Sequence, residues 1–292
     1  SDSAESCFQV GLLALDAGAP RVAERYLQRA LELRPGWPDA LPLWGVFGAT
    51  LLLVLVGVEG GYGLRRYRHK VSSREKEEPV GAMVGATLGL LAFLLAFTFG
   101  LAATRFDARR EVVLDEANAI GTTYLRAAML PEYRDDVRAL LRDYVDVRLE
   151  VTRTKQVAAG VRRSEELQGQ LWSRTVSLGE KHPGSIVVGL FIQSLNEVID
   201  LHAKRLDMAL RSRIPSVIWA GLYGVAVLAL GGIGYQSGLA GTTRSLETVV
   251  VAAAFSLVIW LIADLDRPGE GFLTVSQQAM LDLRSSMTEP AR

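Results

Sequence analysis

The chain has 292 residues, 49% hydrophobic and 22% charged, and its 32 basic and 32 acidic side chains cancel to a net charge of zero. Balanced charge excludes the concentrated basic surface that phosphate backbones require, so nucleic acid is not an expected partner. A positive mean hydropathy, with the apolar residues gathered into long runs, points to a membrane protein.

The first forty residues contain CFQVGLLALDAGAPRVAERYLQRALELRPGWPDA, with small residues at Gly11, Gly18, Ala23 and Ala30 and a proline at Pro35. This resembles one tetratricopeptide repeat, a helical hairpin whose small positions let two helices approach closely. Such repeats need about three neighbours to bury a continuous core. A lone copy either ends a longer array or leans on the rest of the chain, and a protein partner through residues 1–40 is expected.

Leu41 to Leu64 is almost uniformly apolar and long enough, at about 1.5 Å per residue, to cross a hydrocarbon core of about 30 Å. Glu59 near its far end has two readings, an ion or partner-helix contact within the membrane, or an interfacial carboxylate beside Arg65, Arg66, Arg68 and Lys70. The second is adopted, because few apolar residues follow it. A polar link, VSSREKEEP, leads to a second span at Val80 to Thr104, in which Gly81, Gly85 and Gly89 recur every four residues and predict close approach of a neighbouring helix. Phe93 and Phe97 lie one turn apart on the same span.

From Arg105 the sequence turns amphipathic without a breaker before Pro131, and carries Asp115, Glu116 and Asn118. A helix is predicted over Glu132 to Arg153 from the spacing of Val137, Leu140, Leu141, Tyr144, Val145 and Leu149. Ala158 to Gly160 reads as a break, followed by a helix over Arg163 to Leu178. After His182, Pro183 and Gly184, another helix is predicted, with Asn196, Glu197, Asp200 and His202 over two turns. Hydrogen bonding or solvation is the expected role of these polar groups.

Third and fourth spans are predicted at Ile214 to Tyr235 and Thr248 to Ala263, and IADLDRPGEG follows with Asp264, Asp266 and Glu270. No segment reads as a β-strand. The expected fold is all-α, an integral membrane protein with four transmembrane helices and a helical extramembrane bundle inserted between the second and third. The expected divisions are 1–40, 41–104, 105–213, 214–265 and a tail at 266–292.

Cys7 is the single cysteine and His69, His182 and His202 lack ligand spacing, so no metal site is expected. Neither a G-x-S-x-G elbow nor a P-loop is present, and no enzymatic activity is expected.

This layout is similar to that of the bestrophins. FLLAFTFGLAATRFDARR from Phe93 resembles their second-helix segment, where an aromatic neck runs into an extramembrane helix. DEANAIGTTYLRA, LLRDYVDVRL, DLDRP and VSQQ resemble a bacterial bestrophin-like family over residues 43 to 287. The resemblance implies a pentameric anion channel in the bacterial inner membrane with its neck at Gly89, Phe93 and Phe97. Gly89 stands where bestrophins carry a bulky apolar residue. The resemblance also brings in calcium at Asp264, Asp266 and Glu270, but that run offers fewer oxygens than the roughly six to eight calcium takes, so no cofactor is expected. Basic residues flank both sides of the spans, and the extramembrane domain is expected in the cytoplasm.

Overall fold

The computed structural model describes residues 41–69, 77–154, 156–240, 246–267 and 271–288. The repeat-like segment at 1–40 and Glu270 lie outside the described residues. Every element among the described residues is an α-helix: α1 (Leu43–His69), α2 (Glu77–Ala127), α3 (Arg134–Thr154), α4 (Val157–Lys181), α5 (Ile186–Arg211), α6 (Ser216–Ala240), α7 (Leu246–Asp266) and α8 (Gln278–Ser286). Five of them, α1, α2, α5, α6 and α7, are long and apolar enough to cross a membrane by length and composition. The expected spans fall on four of these, and α5 is the addition.

The 51 residues of α2 form one helix because nothing interrupts them. Pro79 sits in its first turn, where a missing amide is harmless, and Pro131 comes only after its end. The chain divides into two compact units, one made of residues 107–212 and 275–288 and the other of 41–106 and 213–274. The part of the tail from Val275 thus groups with the helical domain.

In the first unit α3, α4 and α5 each turn one apolar face inward. Val137, Leu141, Tyr144 and Val145 of α3, Leu167, Leu171 and Leu178 of α4, and Phe191, Leu195 and Val198 of α5 meet Val113, Ile120 and Tyr124 of α2. Burying each large apolar side chain contributes about 1.5–3 kcal/mol before entropy is counted. The helix ends carry their own signals: Asp135 and Asp136 open α3, where carboxylates complement the helix dipole, and Ser185 Oγ caps α5 by accepting from the Val188 N–H at 3.4 Å.

Gly160 corrects the sequence reading, for it lies inside α4 and breaks nothing. A Cβ there would overlap Cγ2 of Val151 on α3, so the glycine marks where two helices nearly touch.

The second unit is held by a similar device between α1 and α6. A Cβ on Gly61 would overlap the carbonyl oxygen of Gly231, and one on Gly234 would overlap that of Val58. Small residues give such helices contact area that lipid cannot replace. Thr50 and the Tyr223 hydroxyl add a buried hydrogen bond of 3.0 Å between the same two helices.

Candidate functional site

Within its own unit, α2 buries Val84, Leu91, Leu95, Thr98 and Ala102. At about 100° per residue these share one face, and Gly89, Phe93, Phe97 and Gly100 lie about 180° away on the other. Phe93 is 66% exposed and Phe97 60%. A Cβ on Gly85 or Gly89 would meet no atom of the described residues within 4 Å, so none of the described helices packs on these glycines. Close approach uses Gly57, Gly61, Gly231 and Gly234 instead. The sequence-predicted neck residues therefore share one apolar face with no partner among the described residues.

The acidic segment at the end of α7 is built into the fold. Asp264 is buried and its carboxylate accepts from the backbone N–H of Phe272 at 2.9 Å and of Leu273 at 3.1 Å. Gly271, at φ +114°, lets the chain turn back over that carboxylate, and a Cβ at this position would collide with Asp264 Oδ1. Asp266 accepts from the Ile214 N–H at 2.9 Å and faces Arg105 at 4.0 Å. Arg267 donates to the Leu41 carbonyl at 2.6 Å. These acids spend acceptor capacity on backbone donors, which leaves few oxygens for an ion.

In the helical unit the polar residues singled out from sequence go to two places. Asp115, Asn118, Asn196, Glu197 and Asp200, joined by Gln193, line an open groove of about 790 Å³ between α2 and α5. Glu116 turns the other way and is fully buried. Arg148 Nε lies 2.9 Å from its Oε1, and Arg205 donates to its Oε2 at 2.5 Å. The Tyr144 hydroxyl donates to Oε1 at 3.2 Å. That hydroxyl has one proton to give, so its other contacts, His202 Nδ1 at 3.1 Å and Gln168 Nε2 at 3.4 Å, must donate to it. His202 is thereby fixed as the Nδ1–H tautomer, with Nε2 buried and accepting no hydrogen bond. Arg205 also donates to Gln277 at 3.0 Å. Glu116 thus links α2, α3, α4, α5 and the residue preceding α8.

Burial and charge together explain the protonation states. Burial would raise the Glu116 carboxyl, but Arg148 and Arg205 outweigh it and hold the group below the usual carboxylate range. Burial, with the Glu116 carboxylate second, pushes the Tyr144 phenol well above its ordinary range. Burial and then Arg148 hold the His202 imidazole down at about 4. No group of three or more His, Cys, Asp or Glu side chains is placed to hold a metal among the described residues. Sequence reasoning named Glu116 and His202 but not their partners, which lie 28 to 89 residues away along the chain.

A family model for the bestrophin-like domain matches residues 51–280. Among solved structures, a point mutant of a bacterial bestrophin homologue from Klebsiella pneumoniae superposes with a TM-score of 0.59 at 13% identity, covering 84% of this chain and 97% of that one. A second mutant of a Klebsiella pneumoniae bestrophin homologue gives 0.56 at 14% identity over 83% and 96%. A mutant described only as a membrane protein gives 0.59 at 12% identity over 84% and 97%. No curated protein matches the chain. With the family model spanning most of its length, the chain is an all-α integral membrane protein and belongs to the bestrophin-like family.

Proposed function

We propose that the protein is a homo-oligomeric ion channel, a pentamer, in which α2 of each subunit lines a central conduit and Gly89, Phe93 and Phe97 form a hydrophobic neck. The observation that carries this reading is the division of α2 into a packed face and an opposite face bearing two exposed phenylalanines. A ring of copies turns such a stripe into an aromatic constriction, which gates by dewetting. Four spans are part of the proposal: α1, the first part of α2, α6 and α7, with residues 105–213 as an extramembrane domain. Leaving α5 out of the membrane is supported by Asn196, Glu197, Asp200, Lys204, Arg205 and Asp207, since charges at bilayer depth are costly. The domain is placed in the cytoplasm of a bacterial cell, and residues 1–40 are proposed to bind a protein partner.

Anions are the proposed permeant ions on the strength of the family resemblance. Exposed Asp107 and Glu111 on α2 carry the opposite charge, so the reversal potential in a salt gradient decides the sign. The neck itself is tested by flux from reconstituted vesicles. Phe93→Ala combined with Phe97→Ala is expected to raise flux severalfold over wild type. No flux from either protein overturns the channel, and a monomer or dimer on detergent sizing favours a non-conducting scaffold that binds partners through its helical domain.

A further inference from the structure

At one end of the unit formed by residues 41–106 and 213–274, three aromatic rings make a cluster that faces outward. Trp44, in the first turn of α1, stacks on Trp260 of α7 at 5.7 Å between centroids with the planes 28° apart. Phe272 sets its edge against both, at 6.0 Å from Trp44 and 5.7 Å from Trp260. Trp44 is 67% exposed and Phe272 65%, so the cluster is open on its outer side. The Trp260 Nε1–H is buried and has no acceptor among the described residues.

Two features say what covers these rings. First, the cluster continues an apolar stripe along each helix. On α1 exposed Leu52 lies two turns beyond Trp44 and about 80° round the helix, with exposed Val56 one turn further, and on α7 exposed Val250 and Leu257 lead to Trp260 at steps of seven and three. Both helices are of membrane-spanning length and hydropathy, so the stripes suit acyl chains. Second, the stripes end at the rings, beside charged groups already paired: Asp264 with the Phe272 and Leu273 amides, Asp266 with Ile214 and Arg105, and Arg267 with the Leu41 carbonyl. Apolar surface gives way to charge across this cluster, and amphipathic rings of Trp are most stable where a bilayer makes the same change.

We infer that Trp44, Trp260 and Phe272 form an anchor in the headgroup boundary of a phospholipid bilayer, setting the depth at which α1 and α7 sit. Phe272 lies on the turn that the Asp264 carboxylate holds, so the anchor also ties that turn to the lipid surface. The inference rests on membrane insertion of this unit and is independent of whether the protein conducts.

The test uses the full chain in vesicles of palmitoyl-oleoyl phosphatidylcholine containing phosphatidylcholine brominated either close to the carbonyl or close to the methyl end of the chain. The Trp44 signal is the fluorescence lost in Trp44→Phe, which keeps an aromatic ring in place. It is expected to be quenched about twofold more by the shallow bromine than by the deep one. Phe272→Trp made in the Trp44→Phe background moves an indole to the neighbouring ring without deleting the cluster and is expected to show the same preference. Stronger quenching by the deep bromine puts the cluster inside the hydrocarbon and overturns the anchor. Quenching by neither overturns it too, because a second copy or another part of the chain then covers the rings.

Discussion

Two guanidiniums converge on the single buried carboxylate of Glu116, and burial first, then this positive charge, decides how His202 behaves. A protonated imidazole there would add a third cation facing one anion, with the neutral Tyr144 hydroxyl as its hydrogen-bond partner. The imidazole is therefore held neutral, at about 4 against an ordinary 6.5. The sign follows from proton counting. Between these values the unfolded chain binds a proton that the folded chain refuses, so stability is complete above pH 6.5 and falls progressively down to about pH 4. The total loss is on the order of 3 kcal/mol. His202→Asn keeps an N–H for the Tyr144 hydroxyl and cannot titrate, so its thermal midpoint in detergent should fall less than that of wild type between pH 7 and pH 4. Equal slopes for the two proteins would show that His202 does not carry the effect. Removing a partner of Glu116 is a different matter, because it leaves a buried charge uncompensated at a cost of about 3–5 kcal/mol.

Helix–helix contacts here are set by glycines whose importance depends on what lies opposite. Gly61 faces the Gly231 carbonyl so closely that Gly61→Ala forces α1 and α6 apart, while Gly63→Ala on the same helix meets nothing within 4 Å. The first substitution is expected to cost about 1–3 kcal/mol and the second to be near neutral, as thermal midpoints in detergent would show. Equal effects from both would mean the crossing is not a determinant of stability. The same dependence on the opposite surface limits what the sequence reveals. The long α2 was legible, because absence of proline from Pro79 to Pro131 is a local property. Regular spacing singled out Gly81, Gly85 and Gly89, but none of the described helices approaches the latter two, and the neighbours of Gly57 and Gly61 come from a helix about 170 residues away. Gly160 looked like a breaker for the same reason, since only Val151 on the preceding helix explains a glycine inside α4. Glu116 was visible as a polar residue on a helix, but a carboxylate bound by arginines from two other helices has no spacing signature at all.

At the scale of the whole molecule, the same chain supplies both membrane-length helices and a helical unit with a buried ionic centre, and the side of the membrane taken by that unit is a question of charge. Insertion reads the charges next to each span before any of them is paired. Arg65, Arg66, Arg68, Lys70, Arg74 and Lys76 follow the first span, while Arg105, Arg109, Arg110, Lys204, Arg205, Arg211 and Arg213 flank the domain side. In the folded chain Arg109 donates to the Ser212 carbonyl at 3.5 Å and Arg205 serves Glu116, but neither pairing exists when the spans are threaded, so both still count. The two sides nearly cancel, and the cytoplasmic placement rests on the family layout. Arg163 offers a direct readout, since it is exposed on α4 and pairs with its neighbour Glu166 on the same helix, so Arg163→Cys leaves the core untouched. With Cys7→Ser removing the native thiol, a membrane-impermeant maleimide added to intact cells should leave the new cysteine unlabelled until the membrane is permeabilised. Labelling before permeabilisation would put the domain outside and reverse the orientation, yet leave the packed and exposed faces of α2, and the neck proposed on them, as they are.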